Sequence, residues 1–218
     1  MPDGNVWAVV CDGMGGANGG SVASSVAVQV ISQHIQAGYT GHTDIASVKQ
    51  LLYDAIRQAN GVVYQKAQED PSLSGMGTTV IACVATSECV YIAHAGDSRA
   101  YLIAGGRALQ LTRDHSIVQE MLDSGKLTPE EARNHPQKNI ITRALGVEEQ
   151  LEIDFCETIF PEKAGLLICT DGLTNLVDDA AIVGMLEKPG PDDPVARLVE
   201  LANQSGGTDN ITVVLIER

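Results

Sequence analysis

Apolar residues recur along this chain at two different periods, and the change of period divides it into blocks. The first apolar run, Val6–Cys11, has the length and β-branched content of a strand. Two stretches at helical spacing follow. Val22, Val26 and Val30 with Ala23, Ala27 and Ile31 form one broad face, which predicts a helix from Ser21, as its cap, to Ile35. Gly38 and Gly41 interrupt it. Ile45, Val48, Leu52, Ile56, Ala59 and Val63 form a second face, which predicts a longer helix over Asp44–Ala67, closed by Pro71 and Gly75.

The middle of the chain is strand-like. Thr79–Ala85, Cys89–Ala95 and Arg99–Ile103 read as strands joined by polar turns, and Gly105-Gly106 reads as a hairpin turn leading into Ala108-Leu109. Ser116–Asp123 predicts a short helix that ends at Gly125. Thr128-Pro129-Glu130-Glu131 opens another, with Thr128 as cap, Pro129 in the first helical position and Glu131 completing a capping box. Further strands are predicted at Gly165–Cys169 and Ile211–Ile216. Helices are predicted at Asp179–Leu186 and at Pro194–Gln204, the latter capped by Asp193, with Pro189-Gly190-Pro191 between them. Strands and helices arranged in blocks predict an α+β fold with mainly antiparallel sheets rather than a doubly wound parallel one. A length of 218 residues suits one domain spanning 1–218.

Composition narrows the class. The formal net charge of −14 opposes nucleic acid or an anionic membrane as a partner. Hydrophobic residues make up 44% of the chain but aromatics only 4%, so the core has to be aliphatic. No apolar stretch approaches the ~20 residues of a membrane span, and no signal-peptide pattern opens the sequence. The five cysteines are odd in number, lack a C-x-x-C pair and read as reduced thiols of a cytoplasmic protein.

The candidate chemistry lies where acidic motifs meet apolar runs. Asp12-Gly13-Met14-Gly15-Gly16 follows Val6–Cys11, Thr170-Asp171-Gly172 follows Leu166–Cys169, and Gly207-Thr208-Asp209-Asn210 precedes Ile211–Ile216. An ionised carboxylate beside an apolar core costs several kcal/mol unless it is paired or binds a metal. No Lys or Arg lies within three residues of Asp12, Asp171 or Asp209. Brought together at one end of a sheet, these aspartates would form an oxygen-rich pocket for hard divalent cations. Two other chemistries fit less well. The glycine-rich stretch Gly13–Gly20 lacks a P-loop lysine, since no Lys occurs before Lys49. Gly96-Asp97-Ser98-Arg99-Ala100 lacks the second glycine of a serine-hydrolase nucleophile elbow.

Seven segments, in order, carry a family resemblance. They are Val10–Gly16, Gly75-Met76-Gly77-Thr78-Thr79, Gly96-Asp97-Ser98-Arg99, Leu111–Ser116, Asn139–Gly146, Cys169-Thr170-Asp171-Gly172-Leu173 and Gly207-Thr208-Asp209-Asn210. From about Val6 onward the chain resembles the metal-dependent protein phosphatases (PPM, type 2C) in their bacterial form. The resemblance implies two stacked, mainly antiparallel β-sheets flanked by pairs of helices, an α-β-β-α four-layer sandwich. It also implies hydrolysis of phosphoserine and phosphothreonine in proteins by a metal-activated water at a dinuclear site. The cofactors it implies are two Mg2+ or Mn2+ ions and, in bacterial members, a third. Its substrates would be phosphoproteins, the targets of a serine/threonine kinase.

Residue by residue, the resemblance makes Asp12 the bridging carboxylate and the Gly13 carbonyl a ligand of one ion. Asp171 and Asp209 would bind the other ion, and Asp97 with Asp171 would hold a third. Residues 114–146 resemble the family's flap, a mobile subdomain beside the active site, whose His115 and His135 receive no catalytic part. Thr78, Thr79 and Asn210 read as residues that orient the surrounding loops by side-chain hydrogen bonds.

Two departures from the pattern bear on activity. Met14 stands where animal members carry His. The family's phosphate-binding Arg and a further metal-binding Asp precede the Asp-Gly-Met motif, whereas only Met1–Asn5 precede the first strand here. The expectation is therefore weak phosphatase activity. The alternative is a catalytically impaired phosphatase-fold scaffold or regulatory binding protein. A sheet edge left open near Val6–Cys11 is expected to be covered by homodimerisation.

Overall fold

The computed structural model describes residues 4–41, 44–188 and 193–218, so the predicted Pro189-Gly190-Pro191 break lies outside the described residues. The order is β1 (Val6–Val10), β2 (Gly13–Met14), α1 (Gly16–Gly38), α2 (Ile45–Glu69), β3 (Gly77–Thr78), β4 (Val80–Ala85) and β5 (Cys89–Ala95). The hairpin β6 (Arg99–Ala104) and β7 (Arg107–Gln110) is followed by the short helices α3 (Ile117–Asp123) and α4 (Pro129–Arg133). The chain closes with β8 (Asp154–Ile159), β9 (Gly165–Cys169), α5 (Asp171–Thr174), α6 (Asp179–Glu187), α7 (Pro194–Gln204) and β10 (Val213–Glu217).

The strands form two four-stranded antiparallel sheets, ordered β1-β4-β5-β8 and β10-β9-β6-β7, together with the small ribbon β2-β3. The alternation of side chains along each strand explains why the sheets stack. Val80, Ala82 and Val84 of β4 join Ala27, Ile31, Leu52 and Ile56 of α1 and α2 in one core. Ile81, Cys83 and Ala85 of the same strand meet Leu166 and Ile168 of β9 in a second core between the sheets. On the other side of β9, Leu167 and Cys169 pack with Leu173, Ile182 and Leu198 of α5, α6 and α7. This is the four-layer α-β-β-α sandwich, with its filling almost wholly aliphatic.

Most predicted ends coincide with capping chemistry. Asp44, Ser116, Asp193 and Thr128 each accept a backbone N–H at the start of their helices, and the Thr128–Glu131 capping box is complete. The first helix is a correction. It begins at Gly16, capped by Gly15 rather than by Ser21, and runs to Gly38. The early turns carry glycine and alanine, so no apolar face marks them in the sequence. The strand β8 is also absent from the apolar pattern. It is an edge strand bearing Asp154, Glu157 and Thr158, with Phe155 turned to the first core and Cys156 to the second. All five cysteines are free thiols, Cys83 and Cys169 buried and the others half-buried. None of the described helices is long and apolar enough to cross a membrane.

Candidate metal centre

Asp12 follows β1 and is fastened to the loop that joins β3 to β4. Its amide donates to Thr79 Oγ1 at 2.9 Å, and its carbonyl accepts from the Thr79 amide and from Thr78 Oγ1, both at 2.8 Å. Thr78 and Thr79 thus orient Asp12 through its backbone, leaving the carboxylate free of either. Gly13 also permits close packing: a Cβ there would meet the Gly20 carbonyl oxygen at 1.9 Å. The turn of α1 bearing Gly20 therefore rests directly on the Asp12-Gly13 turn.

Asp171 opens α5 at the end of β9, and Gly172 lets a second loop reach it. A Cβ on Gly172 would lie 2.3 Å from the Asn210 carbonyl oxygen. Thr170 closes the same junction: its amide donates to the Thr212 carbonyl at 3.1 Å, and its Oγ1 accepts from the Thr212 amide at 3.1 Å. The Asn210 amide donates to Asp209 Oδ1 at 2.7 Å and its carbonyl accepts from Thr170 Oγ1 at 3.4 Å, so in these bonds Asn210 takes part through its backbone and its neighbours through their side chains.

These junctions bring together carboxylates that lie far apart in sequence. Burial and the charges of Asp171 and Asp209 push Asp12 up to about 7. Burial, Asp171, Asp114 and Asp12 push Asp97 up to about 7 as well. Asp171 is raised by burial and then by Asp209, while sharing a hydrogen bond with Asp12. Asp171 is thus the centre of the group, with Asp12, Asp97 and Asp209 around it. The nearby cation Arg99 is committed elsewhere, donating to both oxygens of Asp114, with its closest approach at 2.7 Å. Uncompensated carboxylates that raise one another's pKa fit hard divalent cations, whose binding would remove the repulsion. They do not close into a cage for a single ion: among the described residues, the only trio with ligand atoms all within 4.8 Å is His94, His115 and Asp154.

Asn175 was not legible as part of this centre. It donates to Asp171 Oδ2 at 2.9 Å and reaches Asn139 Oδ1 at 3.4 Å, which links the carboxylate to segment 114–146. The i,i+4 spacing from Asp171 was a signal, but a helix of four residues leaves no periodic pattern to place it on. Beside the aspartates opens a cleft of about 570 Å3, walled by Asp97, Asp171 and Asn175 on one side and by Leu122, Ala132 and Lys138 on the other.

Comparison with known proteins places this arrangement in a family. The protein phosphatase 2C family matches residues 1–206. The chain is 40% identical over 211 residues to the serine/threonine phosphatase stp of Listeria innocua, covering 96% of this chain and 83% of that protein. It is 38% identical to the protein phosphatase PhpP of Streptococcus pneumoniae, covering 98% and 86%. Among solved structures, the serine/threonine phosphatase of S. agalactiae superimposes with a TM-score of 0.90 at 36% identity, covering 98% of this chain and 87% of that one. The catalytic domain of the phosphatase PstP in complex with two manganese ions gives a TM-score of 0.82 at 32% identity, covering 96% and 86%. The chain belongs to the protein phosphatase 2C family and is of its bacterial serine/threonine type.

Proposed function

We propose that the protein hydrolyses phosphoserine and phosphothreonine in proteins at a dinuclear Mg2+ or Mn2+ centre held by Asp12, the Gly13 carbonyl, Asp171 and Asp209. The observation that carries this reading is the convergence of these aspartates on Asp171 with no compensating cation among the described residues, in a chain of this family. When bound, such a pair of ions supplies Lewis acidity toward the phosphoryl oxygens and a nucleophilic water. The chain's own contribution is placement. Thr78 and Thr79 fix the backbone of Asp12, Gly172 admits the Asp209 loop, and Asn175 holds one oxygen of Asp171. Asp97 with Asp171 supplies a further site for a third ion. Residues 114–146 form the flap over the cleft within a single domain, and the phosphoproteins it admits are products of serine/threonine kinases.

The decisive experiment is hydrolysis of an aryl phosphate and of a phosphothreonine peptide with added manganese, with and without chelator. Turnover that the chelator abolishes is expected. A protein that binds manganese in calorimetry yet leaves both substrates intact would instead be the scaffold without turnover. Association follows from the outer position of β1, whose Val6 is 44% exposed. Pairing of two such edges in a homodimer would cover it. Light scattering that shows only monomer at high concentration would remove that part of the reading.

A further inference from the structure

Two buried histidines and a half-buried aspartate form a cluster that the proposed chemistry does not use. His94 on β5, His115 just before α3 and Asp154 at the start of β8 offer donor atoms within 4.8 Å of one another. Both histidines are 3% exposed, and His94 Nδ1 is buried without a partner. Transition ions use such donors, yet two observations exclude a shared ion. The rings are stacked, with centroids 4.9 Å apart and planes 8° from parallel. Their lone pairs lie in the ring planes and so cannot meet at one point. The Arg143 guanidinium is also already there, 3.1 Å from His115 Nε2 and 2.9 Å from Asp154 Oδ1. The cation of this cluster is an arginine.

His115 holds the backbone of Gly96. Its Nδ1 accepts from the Gly96 amide at 3.1 Å, and its own amide donates to the Gly96 carbonyl at 3.0 Å. A neutral ring carries one N–H, so accepting from the fixed Gly96 amide at Nδ1 puts that proton on Nε2, where Asp154 Oδ2 at 3.3 Å receives it. Arg143, which can only donate, gives its N–H to Asp154 Oδ1 and makes no hydrogen bond to the Nε2 it lies beside. Burial keeps His115 below its ordinary value despite the Asp154 contact, so the ring is neutral near pH 7. Arg143 fixes the other side of the arrangement by bonding Asp154 and pairing with Glu152 at 3.0 Å.

Gly96 matters through its neighbours. With φ at 109°, it lies so close to Thr79 that a Cβ would come within 2.7 Å of the Thr79 side chain. Thr79 receives the Asp12 amide and is 2.8 Å from Ser98 Oγ. Asp97 is the next residue in the chain. On the opposite side, the His115 carbonyl accepts from the Thr142 amide at 2.8 Å, and the Ile117 amide donates to the Ile140 carbonyl at 3.0 Å. His115 therefore joins both limbs of segment 114–146 to the turn that carries Asp97.

We infer that His115 is a positioning residue which, in the tautomer protonated at Nε2, pins the Gly96–Asp97 turn to the root of segment 114–146. The placement of that segment and the placement of Asp97 are then set together. The consequence for metal binding rests on the proposed phosphatase function, but the tautomer and the pinning do not.

The test uses the intact chain with His115→Asn, His115→Gln and His115→Leu. Asn carries an acceptor on Cγ, as Nδ1 is carried, and keeps the bond to Gly96. Gln reaches toward Asp154 but leaves the Gly96 amide without an acceptor. His115→Asn is expected to bind manganese nearly as the parent does, whereas Gln and Leu weaken the Asp97-dependent site by about 10–100-fold, the range for residues that orient metal ligands. Asp97→Asn identifies which calorimetric step that is. Nitrogen-15 spectra of the His115 ring in the unaltered protein should show Nδ1 unprotonated and Nε2 protonated. The inference is overturned by a ring protonated at Nδ1, by Gln serving as well as Asn, or by Leu leaving the Asp97-dependent step unchanged. Should the parent bind no manganese, the phosphatase reading fails, while the ring spectrum and slow exchange of the Gly96 amide still decide the pinning.

Discussion

Asn175 donates to Oδ2 of Asp171 at 2.9 Å across a single helical turn, although Asn175 itself is exposed to solvent. An exposed amide that fixes the central carboxylate of the site, and touches Asn139 beyond it, can affect ion binding without affecting the core. Replacing Asn175 with Ala is expected to weaken manganese binding by about tenfold, the lower end for residues that orient metal ligands. The thermal midpoint should move little. Calorimetry and a melting curve on the same sample check both halves.

Asp171→Asn removes one of several mutually repelling carboxylates. Without metal the variant is expected to be as stable as the parent or more so, because the raised pKa of Asp171 marks a charge that the fold holds at a cost. With Mg2+ or Mn2+ it should bind more weakly and gain less stability. Unchanged metal affinity would sink the assignment of Asp171 as a ligand.

The pH dependence follows from Asp12 and Asp97, both raised to about 7. Folded, each retains its proton to higher pH than when unfolded, so folding takes up protons in this range. The stability they contribute is full below their ordinary carboxylate values and is lost as pH rises toward 7. The metal-free protein should therefore melt at a lower temperature at pH 7 than at pH 5, and Asp12→Asn with Asp97→Asn should flatten that slope. Binding of Mn2+ below pH 7 should release protons, measurable by calorimetry in buffers of different ionisation enthalpy.

Gly172→Ala tests whether close approach sets the site. The added Cβ would fall 2.3 Å from the Asn210 carbonyl oxygen, so the loop carrying Asp209 has to move outward. Manganese affinity and aryl phosphate turnover should both fall, by more than for Gly184→Ala in α6, where a Cβ meets nothing within 4 Å. Equal behaviour of the two variants would show that the loop yields without consequence.

Arg99 and Asp114 form a bidentate pair at the floor of the cleft, with Asp114 buried. Asp114→Asn leaves the guanidinium without its counter-charge, and because Arg99 is partly exposed the expected cost is about 1–3 kcal/mol, below that of a fully buried pair. Urea unfolding should show a loss of that order. Pairing Asp114→Asn with Arg99→Met should recover part of it.

The periodic faces of α2 and α7, the runs that become β4, β5 and β9, and the Thr128 capping box were determined by local sequence. Burial of one face, or of both faces of a strand, writes itself into residue spacing. The acidic motifs were legible in the same way, since a carboxylate at a strand end with no cation beside it is a local anomaly. The start of α1 at Gly16 was not legible, because its first turns are chosen for the close contact between Gly13 and Gly20 rather than for an apolar face. Neither was β8, an edge strand whose partner lies about sixty residues earlier and whose outward positions carry charge. Tertiary structure alone decided which aspartates meet, that Asp171 stands at their centre, and that His115 is tied to Gly96. Those relations depend on two loops packing through glycine at distances no side chain permits, and a one-dimensional pattern does not encode such an approach.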